Sequence, residues 1–122
     1  MQNDLSFSDI LEMQKNLQER HRGEWAPLTP DYGRSCVLWM VEELGEAISV
    51  IKKRGEARIM ADSAIREAFI EEFADVIMFM ADAFICYDID ASELANVYMK
   101  KHLRNMDRDW AKEEAEKNRD PT

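Results

Sequence analysis

Phe69-Ile70-Glu71-Glu72-Phe73-Ala74-Asp75-Val76-Ile77-Met78-Phe79-Met80 decides how this chain folds. Its apolar side chains leave almost no polar side beyond Asp75, and Phe84 and Ile85 extend the run. A helix that is apolar nearly all round is expected to be a buried central helix. Glu72 and Asp75 are three residues apart, so on a helix they share a face and enter that buried zone. Unpaired carboxylates are costly there, and they either protonate or find a cation.

Upstream, Glu42-Glu43-Leu44-Gly45-Glu46 echoes the same spacing, with Glu43 and Glu46 three apart. Plotted as a wheel, Val37, Met40, Val41, Leu44, Ile48 and Ile51 form one apolar stripe, the expected core face. Glu43 and Glu46 fall on another stripe, bracketed by Trp39 and Val50. A solvated face does not normally flank its acids with large apolar groups, so this stripe reads as a second contact surface. Two such helices can converge Glu43, Glu46, Glu72 and Asp75 on one point. An all-oxygen set suits a hard cation: magnesium, manganese or calcium. Pairing with Arg66 or nearby lysines is the structural alternative. Di-iron bundles use Glu-x-x-His pairs, but neither motif holds a histidine, and His21 and His102 lie outside both clusters. The acids also lie on helices rather than in a Gly-containing EF-hand loop.

The spacing predicts an all-α fold, a four-helix bundle, in one domain of 122 residues. The helices run over about residues 8–22, 31–54, 63–87 and 91–112. Ser6 or Ser8 caps the first, Gly23 ends it, and Gly55 stops the second. Residues 55–62 read as a connection, and the charged tail 113–122 is expected to fray. Pro27 and Pro30 mark a loop holding Trp25, either a lid over the core edge or a stacking surface for a base. Lys52, Lys53 and Arg54 fill the last turn of the second helix. They serve the helix dipole or contact phosphate.

The net charge of -9 argues against nonspecific binding to nucleic acid or anionic membranes. Cys36 and Cys86, the only cysteines, read as buried reduced thiols. With no leader peptide or bilayer-spanning run evident, a cytoplasmic location is expected.

Near the end, Tyr98, Lys101, Asn105 and Arg108 recur at spacings that keep them on one helical face. They suit a polyphosphate or make a solvated basic face.

Taken together, Glu42-Glu43-x-x-Glu46, Glu72-x-x-Asp75 and the late Tyr/Lys/Asn/Arg pattern resemble the all-α nucleoside triphosphate pyrophosphohydrolases. These include MazG-type enzymes, dimeric dUTPases and dCTP pyrophosphatases. The resemblance covers residues 35–110. It implies Mg2+ (or Mn2+) held by Glu43, Glu46, Glu72 and Asp75, with Glu43 taking the proton of a water and Glu42 an accessory acid. It implies that Lys101 and Arg108 hold phosphates and that Asn105 touches phosphate or nucleoside. The apolar excess of the two central helices suggests a homodimer or a dimer of dimers. The nucleobase is expected to pack on Trp25, Trp39 or Phe79. The rival reading is a noncatalytic helical module whose acids hold a structural metal or a basic partner.

Overall fold

A computed structural model describes residues 4–119, and all its regular elements are helices. They are α1 (Phe7–Arg20), α2 (Pro30–Arg54), α3 (Glu56–Ala61), α4 (Ser63–Cys86), α5 (Ala91–Met106) and α6 (Trp110–Arg119). The chain divides into two compact units at Ala91/Ser92.

Local chemistry sets the boundaries. Ser6 Oγ accepts from the Asp9 N–H at 3.1 Å while Asp9 Oδ2 accepts from the Ser6 N–H at 3.0 Å, a capping box that starts α1. Asp62 Oδ1 accepts from the N–H groups of Ala64 and Ile65 and starts α4. Gly55 has φ 82°, the left-handed region open to glycine, and there α2 gives way to α3. The expected connection 55–62 is thus largely helical: α3 anchors itself with buried Ile59 and packs on α4 and α2. The expected long last helix is split. α5 stops at Met106, and Asp109 Oδ1 accepts from the Lys112 N–H at 3.0 Å as α6 begins. Four expected segments therefore appear as six helices among the described residues. Of the expected tail, 113–119 lies within α6, and the rest falls outside the described residues.

In the first unit α2 and α4 form an antiparallel pair, with α1 and α3 packed against α4. From its N-terminus α2 meets α4 in reverse order. Gly33 faces Tyr87, Cys36 meets Ala83 and Cys86, Trp39 lies 5.7 Å from Phe79, and Glu43 meets Asp75 and Glu72. Small residues make this approach possible: a Cβ on Gly33 would lie 2.4 Å from the Tyr87 ring. Cys36 and Cys86 are buried and free, as expected. Burial, and then its neighbour Cys86, push the Cys36 thiol up to about 12, so it stays protonated.

Two expectations about burial are overturned. On α2 the seam is built from Cys36, half-buried Glu43 and Ala47, whereas the expected core residues Val37, Val41, Leu44 and Ile48 are exposed. Ala47 is 2 % exposed and Val41 58 %. The small side chains let α4 come close, and that contact turns the bulkier stripe outward. Nor is α4 covered all round, because Ile70, Phe73, Ile77 and Met78 are exposed. No described helix is long and apolar enough to cross a membrane.

Candidate metal centre and adjoining recesses

Glu43 sits midway along α2, and Glu72 and Asp75 face it from α4. One carboxylate oxygen from each of the three lies within 4.8 Å of the others, and all three residues are half-buried. The geometry follows from the antiparallel register, since residues three apart on α4 present both acids to one point on α2. The Glu43 carboxyl is held above its ordinary range. Desolvation is the largest cause, followed by a hydrogen bond with Glu72 and the charges of Asp75, Glu72 and Glu46. Among the described residues no lysine or arginine pairs with the trio. Arg66, the anticipated structural partner, instead points its guanidinium at Met60 Sδ, 3.6 Å away. Three uncompensated carboxylates with oxygen donors only are a fit for a divalent hard cation.

The fourth expected ligand stands apart from this trio. Glu46 is exposed, near enough to raise Glu43 by its charge, and lines a recess of about 370 Å³ with Val50, Lys53, Arg54, Ile65 and Ala68. Two of the three cations that end α2 therefore share a recess with an acid of the first motif. Glu42 is exposed.

One turn toward the start of α2 lies a second recess, of about 470 Å³, lined by Trp25, Leu28, Tyr32, Trp39, Phe79 and Asp82. The Tyr32 and Trp39 rings meet edge-on at 5.5 Å, and Trp25 stacks on His21 at 4.0 Å. The three aromatic residues singled out from sequence thus share one cavity. Asp82 was not anticipated. Burial pushes its carboxyl up, and the Gln14 amide, donating to Oδ1 at 2.9 Å, pulls the other way. Two signals could have found it: an acid one heptad after Asp75 in an apolar helix, and a glutamine in the apolar stripe of α1.

Lys101, Asn105 and Arg108 belong to the second unit. Lys101 and Asn105 are exposed one turn apart on α5. Arg108 does not continue their face, because it follows the end of α5. It bonds Glu113 and lies 3.8 Å over the Trp110 ring. His21 caps the end of α1, and His102 is exposed on α5. Compared with known proteins, the chain matches no family model, no curated protein and no solved structure.

Proposed function

We propose that this chain is a magnesium-dependent nucleoside triphosphate pyrophosphohydrolase, converting a (d)NTP and water to a (d)NMP and pyrophosphate. The observation that carries the reading is the convergence of Glu43, Glu72 and Asp75 without a basic partner. The reaction needs positioning and charge neutralisation more than covalent chemistry. When bound, Mg2+ (or Mn2+) supplies charge neutralisation at phosphate oxygens and a more acidic water.

The residues divide the remaining work. Glu43, Glu72 and Asp75 hold the ion, with Glu46 joining from the next turn of α2 and Glu42 accessory. Glu43 accepts the proton of the attacking water. The water oxygen bonds the α-phosphorus, the bond from that phosphorus to the α–β bridging oxygen breaks, and the bridging oxygen leaves with pyrophosphate. Lys53 and Arg54 share a recess with Glu46 and neutralise the terminal phosphates. Lys101 and Asn105, exposed on the second unit, suit phosphate by their chemistry alone, whereas Arg108 is engaged with Glu113. The aromatic recess takes the base. Along α2 the order is therefore aromatic, acidic, cationic, which matches base, α-phosphate and pyrophosphate.

The exposed stripe Val37, Val41, Leu44 and Ile48, with Ile70, Phe73, Ile77 and Met78 on α4, supports a homodimer or dimer of dimers. Two free buried thiols suit the cytoplasm.

Incubation with canonical and modified dNTPs plus Mg2+ tests the reading. Monophosphate and pyrophosphate are the expected products. No turnover on any nucleotide would favour a noncatalytic metal-binding module.

A further inference from the structure

We infer that the recess lined by α2, α4 and the loop before α2 is a nucleobase subsite. In it Asp82 reads an exocyclic amino group, which cytosine, adenine and guanine carry and uracil and thymine lack. The choice of a nucleotide as ligand rests on the hydrolase reading; the choice of base rests on the recess.

The recess has the shape and chemistry of a site for a flat heteroaromatic ring. Trp25, Tyr32, Trp39 and Phe79 supply aromatic walls. Aromatic–base stacking strengthens nucleotide binding but does not distinguish one base from another. Discrimination needs a polar group: Gln18 and Glu24 also line the recess, but Gln18 donates to the Ala26 carbonyl and Glu24 faces His21, while Asp82 reaches the lining from α4. It is also oriented. Gln14, 7 % exposed on α1, donates its Nε2 to Asp82 Oδ1 at 2.9 Å. Among the described residues this is the hydrogen bond Asp82 makes, so Oδ2 is left for a guest. A carboxylate oxygen accepts and does not donate. It is satisfied by an amino group projecting from a ring edge. Uracil and thymine offer only N3–H, set between two carbonyl oxygens that an anionic acceptor repels.

Position supports the same assignment. Trp39 precedes Glu43 by four residues on α2, and Phe79 follows Asp75 by four on α4. One helical turn, about 6 Å along each axis, therefore separates the aromatic walls from the carboxylate trio. That is a sugar's span from base to α-phosphate.

The Gln14 bond makes the assignment testable by a swap of preference. In Asp82→Asn, Gln14 continues to donate to the side-chain oxygen, so the new amide N–H faces the recess and suits a carbonyl. Calorimetric titration with dCMP, dAMP, dGMP, dUMP and dTMP reads this without turnover. The wild type should bind dCMP, dAMP and dGMP roughly tenfold tighter than dUMP and dTMP, the scale of one charge-assisted hydrogen bond. Asp82→Asn should bring dUMP level with dCMP or past it. Equal wild-type binding of the five, no binding up to millimolar concentration, or an unchanged ratio in Asp82→Asn would overturn the assignment. If the variant does not fold, the wild-type series decides alone. Base discrimination without pyrophosphate release from any triphosphate keeps the subsite and removes the hydrolase reading. Pyrophosphate release without base discrimination does the reverse.

Discussion

The two long faces of α2 have opposite fates. One carries Gly33, Cys36, Glu43 and Ala47 and lies against α4; the other carries Val37, Val41, Leu44 and Ile48 and is exposed. Hydrophobicity alone would bury the second. The chain covers the first because small side chains let two helix backbones approach, and it does so although this register brings three acids together. The larger aliphatic stripe is left over, in keeping with a surface that a second copy covers. The lesson is that a helix with two candidate contact faces is not resolved by choosing the greasier one.

The comparison can be broken at several points. The largest effect is expected in the seam's acids. Glu72→Gln or Asp75→Asn should lower magnesium-dependent pyrophosphate release by at least about a hundredfold, since even groups behind metal ligands cost about 10- to 100-fold. The metal-free melting temperature should hold or rise as like charges are relieved. Activity near wild type would remove the trio from the chemistry, and a collapsed fold would make it structural.

On the opposite face, Leu44→Glu with Ile48→Glu should drop the sedimenting mass to a single chain while helicity is kept. An unchanged mass would mean the stripe is not the assembly surface. Ala47→Leu should then cost about 1–3 kcal/mol in urea unfolding by prying α2 from α4. Val41→Ser in the monomeric background should stay within about 0.5 kcal/mol. The reverse ranking would interchange the two faces.

The pH dependence sharpens the seam further. Glu43 binds its proton more tightly in the folded chain than in the unfolded one. Its contribution to stability is therefore complete below the ordinary glutamate value and is lost as pH rises through the raised one. Without metal, the melting temperature of the wild type should fall relative to Glu43→Gln as pH climbs through that window. A divalent ion should reverse the ranking, because it stabilises the wild type and Glu43→Gln has lost one of its ligands. A slope of the other sign would show that Glu43 is stabilised as an anion.

The smallest effect belongs to the second unit. Arg108→Ala should cost under about 1 kcal/mol, because its pair with Glu113 is partly solvated. It should leave the KM for nucleotide unchanged; a tenfold rise would return Arg108 to the substrate.

Much of this molecule was readable from residue order. Caps and breakers fixed the starts of α1 and α4 and the stop of α2: Ser6 and Asp62 supply side-chain acceptors, and Gly55 supplies a backbone no other residue adopts easily. The pairing of Glu43 with Glu72 and Asp75 was legible because three-residue spacing survives in any helix. What failed depended on neighbours distant in sequence. Which stripe of α2 meets α4 is set by Ala83, Cys86 and Tyr87 on the other helix. The break after Met106 is the local exception, where Asp109 Oδ1 takes the Lys112 N–H as α6 begins. Asp82 escaped notice because its meaning comes from Gln14, 68 positions away.

Binding of Mn2+ tests the convergence of the three carboxylates most directly, followed through the electron paramagnetic resonance signal of the free ion. Wild-type chain should remove Mn2+ saturably, with at least one ion per chain in the presence of nucleotide, and Glu72→Gln should lose that uptake. No uptake by the wild type with nucleotide present, or equal uptake by Glu72→Gln, would contradict it.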